Sequence, residues 1–97
     1  NAPLLILTGE KDDWTPAPYC RRLVDEAKRA DASTPLEIDV YPNALHSFDG
    51  GLDYYPFPNA TNINNCPGYR GASTAGDAKA TRAAIERVRA FFGRWLQ

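Results

Sequence analysis

Methionine is absent from this 97-residue chain, histidine occurs once and cysteine twice. A metal site would have only His46, Asp49 and Asp53 to gather. That is one nitrogen and two oxygens with no second histidine or cysteine nearby, a thin ligand set. An excess of one charge sign is also lacking: the net charge is −1. No basic field exists to attract nucleic acid or an anionic membrane. No apolar run approaches the ~18–20 residues needed to cross a bilayer. Nothing resembles a signal peptide, an internal repeat or a low-complexity tract. With 43% hydrophobic and 24% charged residues the composition is that of a globular chain and not a disordered one. The length allows one small domain at most.

The missing methionine carries a further expectation. The chain starts at Asn1 and enters a buried-type strand almost at once. We therefore expect a C-terminal piece of a longer polypeptide, so the lack of a targeting segment says nothing about the parent. The two cysteines, Cys20 and Cys66, fall in different elements and leave two readings open. Free thiols suit a cytoplasmic protein. A disulfide joining the first helix to a long loop implies a periplasmic or secreted one. Asn59-Ala60-Thr61 forms an N-x-T triplet, which matters only in a glycosylating pathway.

The chain is organised around Leu4 to Pro16, LLILTGEKDDWTP. Four apolar residues in a row have the pattern of a strand buried on both faces, as in a parallel sheet. The spacing predicts a strand over 3–8 and an acidic turn from Gly9 to Asp13. A helix follows over 16–30, with Thr15 as N-cap and prolines in its first turn. Its apolar stripe is Cys20, Leu23, Val24 and Ala27. Its charged residues form a solvated face. A second strand is expected over 36–41, where Leu36, Ile38 and Val40 alternate with Glu37, Asp39 and Tyr41. One face of it is then buried and the other wet or only lightly covered, as near a sheet edge. Strand, helix, strand at this spacing is a right-handed parallel crossover.

Residues 42–73 show no regular pattern and are expected to form one long loop. The loop's aromatics either line a substrate cleft or cover a sheet edge. A last helix is expected over 75–96, capped by Ser73 or Thr74 with Asp77. Its stripe is Thr81, Ile85, Val88, Phe92 and Trp95, flanked by Ala78, Ala84 and Phe91. The fold class is thus α/β: two parallel strands, a crossover helix, a long loop and a C-terminal helix.

Acyl transfer needs a nucleophile, a base to take its proton and a carboxylate to orient the base. Histidine suits the base role because its ordinary pKa, ~6.5, lies near working pH. In open α/β sheets functional groups sit at the carboxyl ends of strands. Parallel strands run ~4.8 Å apart, so loops leaving the same end can bring two side chains into contact. Here one strand ends in Asp12 and Asp13, the other in His46. On position alone either aspartate can serve as the acid, Asp13 alternatively capping the helix. No G-x-C-x-G or G-x-S-x-G elbow is present, and Ser47, Ser73 and Cys20 do not sit on a strand-turn-helix elbow. The chain alone is therefore expected to be inactive.

Two motifs together, GEKDDWTPAPYCRRLVDEA and LEIDVYPNALHSFD, resemble the C-terminal third of the dienelactone hydrolase family of α/β-hydrolases. The helix from Thr81 to Phe92 is similar to that family's terminal helix, so the likeness covers most of the chain outside the middle of the long loop. The resemblance implies the C-terminal part of an α/β-hydrolase fold. It assigns the acid to Asp12, within Asp12-Asp13-Trp14-Thr15-Pro16, and the base to His46, within Tyr41-Pro42-Asn43-Ala44-Leu45-His46-Ser47-Phe48. It implies cleavage of a small-molecule carboxylic ester or lactone by an upstream cysteine or serine, with no cofactor or metal. Asn43 and Leu45 depart from the small residues that the family usually places before the histidine. A different serine esterase or peptidase on the same fold is the alternative within that chemistry. Outside it, the alternative is a binding or self-association module using the bare strand edge at Leu4 to Leu7. The partners so implied are the N-terminal remainder of the same polypeptide or a second copy.

Overall fold

The two apolar runs lie side by side. In the computed structural model, which describes residues 2–96, β1 (Leu4–Gly9) is parallel to β2 (Leu36–Tyr41). The register sets Leu4 opposite Leu36 and Gly9 opposite Tyr41. Helix α1 (Ala17–Ala30) makes the crossover and packs on both strands. Its N-cap is Pro16 and not Thr15, whose hydroxyl is committed elsewhere: it donates to Asp12. Prolines are tolerated here because the first helical N–H groups have no acceptor inside the helix. Ala17 and Val24 are buried and Cys20 and Ala27 half-buried, but Leu23, expected in the stripe, is 55% exposed.

The long loop expected over 42–73 is instead structured. A short 3-10 turn, Phe48–Gly50, is followed by an antiparallel hairpin of β3 (Tyr55–Thr61) and β4 (Arg70–Thr74). Two prolines, Pro56 and Pro58, lie within β3. They break the alternation from which a strand is recognised, and they are tolerated because a lone hairpin consists of edge strands. The pairing slips between Phe57 and Thr61. Thr74 bridges to His46, so the hairpin returns to the end of the parallel pair. Cys20 and Cys66 are both free thiols here, so the disulfide considered above is not formed.

Helix α2 (Ala78–Trp95) begins later than expected. Ser73 and Thr74 belong to β4, and Asp77 is the N-cap, accepting the Ala80 N–H at 2.9 Å. The helix buries Ala80, Ala84 and Phe91, while Ile85, Phe92 and Trp95 of the expected stripe are exposed. The buried line is offset from that stripe by one residue, about 100° around a helix of ~3.6 residues per turn. Alanines on the contact line let the helix come close: Ala80 and Ala84 form the core with Ala44 and Phe48, and Leu7 and Tyr41 pack against it. The Tyr41 and Phe48 rings are 5.3 Å apart. Burial, and next the charge of Asp39, push the Tyr41 phenol above its usual pKa.

The face of β2 expected to be wet or only lightly covered is reached by arginines of α2, and the Glu37 and Asp39 side chains on it stay 27% and 35% exposed. Arg87 donates from Nε to Asp39 at 2.8 Å and from its terminal nitrogen to Glu37, and Arg94 also donates to Glu37. The Arg87 hydrogen bond, reinforced by the charges of Arg94 and Arg87, holds the Glu37 carboxyl below its usual range. Alternation on β2 thus separates an aliphatic face from a lightly covered, ion-paired one.

Candidate active site

Gly9 ends β1, and the loop carrying His46 passes directly over it. A Cβ at Gly9 would lie 2.3 Å from the Ala44 carbonyl oxygen. The two loops are laced across this contact. Glu10 N–H donates to the Tyr41 carbonyl and Lys11 N–H to that of Ala44, both at 2.9 Å. Asn43 N–H donates to the Glu10 carboxylate at 3.2 Å. Asn43 itself takes φ 64°, the left-handed region that asparagine tolerates better than most residues in place of glycine. Gly9→Ala is therefore expected to destabilise the protein by about 2–3 kcal/mol, since a backbone oxygen cannot swing aside as a side chain would. Urea denaturation of the two proteins checks this.

These loops bring Asp12 and His46 together. The Asp12 carboxylate is 7% exposed, and its Oδ2 lies 3.0 Å from His46 Nδ1. Its Oδ1 is 3.2 Å from the same nitrogen. Oδ1 also accepts the backbone N–H groups of Trp14 at 2.9 Å and Thr15 at 2.7 Å. Oδ2 accepts the Thr15 hydroxyl at 2.9 Å. The local turn from Asp12 to Thr15 is thus an Asx turn, in which the side chain substitutes for a backbone acceptor. Four donors surround one carboxylate, which fixes its plane. A carboxylate facing Nδ1 draws the ring proton to that nitrogen and leaves the Nε2 lone pair free. The imidazole is held from the side by Trp14, whose ring centroid is 5.0 Å away.

Asp13 turns elsewhere. Its carboxylate accepts the Ser73 N–H at 3.0 Å, and its carbonyl accepts the Asn62 amide at 2.7 Å. Of the two candidate acids it is Asp12 that touches the imidazole. His46, Asp49 and Asp53 do not converge. Among the described residues no three His, Cys, Asp or Glu side chains gather as a metal site. No serine or cysteine side chain among the described residues hydrogen-bonds to the His46 ring. The hydroxyl that reaches it is that of Thr15, 3.2 Å from Nδ1 and so on the carboxylate side. An open hollow of about 320 Å³ lies beside the pair, with Thr8, Cys20 and Ser47 on its rim. No described helix is long and apolar enough to cross a membrane.

Several residues around the site escape sequence reasoning. Thr15 has the look of a helix cap but serves Asp12. Asn62, 2% exposed, and Asn64 tie the hairpin to the loop that carries the acid. The available signal was the asparagine-rich run NATNINN, since asparagine side chains readily pair with backbone groups.

The sequence model of the dienelactone hydrolase family matches residues 1–96, and the chain belongs to that family. Membership implies hydrolase activity in the parent protein, and the two helices and short strands fit part of the family's α/β fold. No curated protein and no solved structure is significantly similar to the chain.

Proposed function

We propose that the parent of this dienelactone hydrolase family member cleaves a carboxylic ester or lactone, with this chain supplying the acid and base of a Cys/Ser-His-Asp triad. The 3.0 Å contact between Asp12 and His46 at the carboxyl ends of adjacent parallel strands carries the reading. In the scheme, a thiol or hydroxyl from the upstream part of the polypeptide gives its proton to His46 Nε2 and attacks the carbonyl carbon. Asp12 keeps the Nδ1–H and stabilises the imidazolium. That cation then returns its proton to the leaving alkoxide, and water repeats the cycle on the acyl-enzyme.

The expected result is that the full-length polypeptide hydrolyses simple carboxylic esters or lactones while the 97-residue chain alone does not. A spectrophotometric ester assay on both checks it, and a full-length protein inert towards every ester and lactone would defeat the reading. A serine in the upstream elbow would favour the esterase or peptidase alternative, and a cysteine the dienelactone type. Among the described residues β1 pairs only with β2, and Leu4 is 53% exposed. This edge suits the remainder of the same polypeptide or, in the non-enzyme reading, a second copy.

A further inference from the structure

Three aromatic rings form a row that starts at the imidazole. Trp14 lies 5.0 Å from His46 between centroids, Phe57 6.0 Å from Trp14, and Tyr55 4.8 Å from Phe57. The far rings are open to solvent, Phe57 at 40% and Tyr55 at 58%. Yet the row is fixed in place. Trp14 donates its indole N–H to the Thr61 carbonyl at 3.1 Å, and Asn64 donates to the Trp14 carbonyl at 3.1 Å. Asn62 and Ser73 hold Asp13 at 2.7 and 3.0 Å. The β3–β4 hairpin is thereby sewn to the two residues that follow Asp12.

We propose that this row is the wall against which the aromatic part of an ester substrate lies, which makes Phe57 and Trp14 specificity-determining residues. The inference rests on the reading of His46 as the base. The nucleophile must come within hydrogen-bond reach of Nε2, so the ester carbonyl and its substituents fall beside the imidazole. A ring 5.0 Å from that imidazole is within van der Waals reach of those substituents. An alkyl group on the wall gains area burial alone. A planar ring gains the same burial plus the edge-to-face and offset contacts that aromatic pairs prefer. Because the wall is already ordered, little side-chain entropy is lost on binding. A folded partner could cover Tyr55 and Phe57, but a row serving only a partner would have no need to run on to the imidazole.

The aryl group can belong to the acyl half or the alcohol half, and two matched pairs of esters separate these. Methyl 3-phenylpropanoate against methyl hexanoate reports on the acyl half, and benzyl acetate against hexyl acetate on the alcohol half. In the full-length protein Phe57→Leu, which keeps apolar bulk and removes the ring, is expected to lower the aryl-over-alkyl ratio of kcat/KM about fivefold to tenfold in one pair. Binding is read independently from the ¹⁵N-labelled Trp14 indole N–H, which shifts at lower concentration with 3-phenylpropanoate or benzyl alcohol than with hexanoate or hexanol. Esters cleaved with ratios that Phe57→Leu leaves unchanged in both pairs would overturn the wall and leave the hydrolase reading standing. An indole shift favouring aryl compounds without any hydrolysis would show aryl binding at the row but defeat the hydrolase reading, and the substrate wall with it. Phe57→Leu altering self-association in light scattering, with aryl selectivity untouched, would make the row an interface between copies and also overturn the proposal.

Discussion

His46→Ala in the full-length polypeptide is expected to lower kcat by about 10⁴-fold or more, with KM changed far less. The loss is large because no neighbour can take over the proton. Thr15 offers only a hydroxyl, and that hydroxyl is already hydrogen-bonded to Asp12. The Asp12 carboxylate is turned toward the Trp14 and Thr15 N–H groups. Those same bonds should keep the acid loop folded when the imidazole is removed, so the variant loses chemistry and not structure. Steady-state kinetics with a carboxylic ester, beside a thermal melt that matches the wild type, checks both halves of the expectation. The activity that remains would come from substrate binding and from oxyanion-stabilising amides of the upstream part of the polypeptide.

Asp12→Asn is expected to cost about 10³- to 10⁴-fold in kcat, although it replaces one oxygen by one nitrogen. The hydrogen bonds around the carboxylate dictate which atom changes. Oδ1 accepts two backbone N–H groups, from Trp14 and Thr15, so the amide oxygen of asparagine must stay there. The amide nitrogen then occupies the place of Oδ2, 3.0 Å from His46 Nδ1. Two donors cannot face each other, and the amide N–H group at 3.0 Å is nearer than the amide oxygen at 3.2 Å, so Nδ1 is expected to give up its proton and accept. The ring proton moves to Nε2, the atom that has to receive the nucleophile's proton, and the base is blocked. The Thr15 hydroxyl loses its acceptor as well and turns its lone pair toward the new amide. Asp13→Asn changes a carboxylate engaged with the hairpin at Ser73 and should leave the ring tautomer as it is. The contrast between the two neighbouring substitutions, measured in the same ester assay, separates an orienting acid from a structural one.

Where periodicity is strong, the sequence reads directly into this structure. Leu4 to Leu7 is an unbroken apolar run and Leu36 to Tyr41 alternates, and both are strands in one parallel pair. Chain order then places Asp12 and His46 at the same end of adjacent strands, and that is enough to foresee their meeting. Choosing Asp12 over Asp13 took the resemblance or the coordinates, because two adjacent carboxylates differ only in which way a turn points them. The hairpin was hidden for a different reason. Pro56 and Pro58 remove the amide pattern by which β3 would be recognised, and its pairing with β4 is a long-range event that local propensity does not encode. The phase of α2 is also hard to read from the sequence. Phe92 and Trp95 have the look of core residues, yet close approach to the sheet favours Ala80 and Ala84 at the contact. That Glu37 and Asp39 pair with Arg87 and Arg94, about fifty residues later in sequence, leaves no local trace.

The position of the ring proton on His46 tests the central claim most directly. Long-range ¹H–¹⁵N correlation spectra of the full-length protein, recorded at a pH where the imidazole is neutral, should show the proton on Nδ1 and a bare Nε2. In Asp12→Asn the two nitrogens should exchange character. A wild-type ring protonated on Nε2, or the same spectrum in both proteins, would contradict the account.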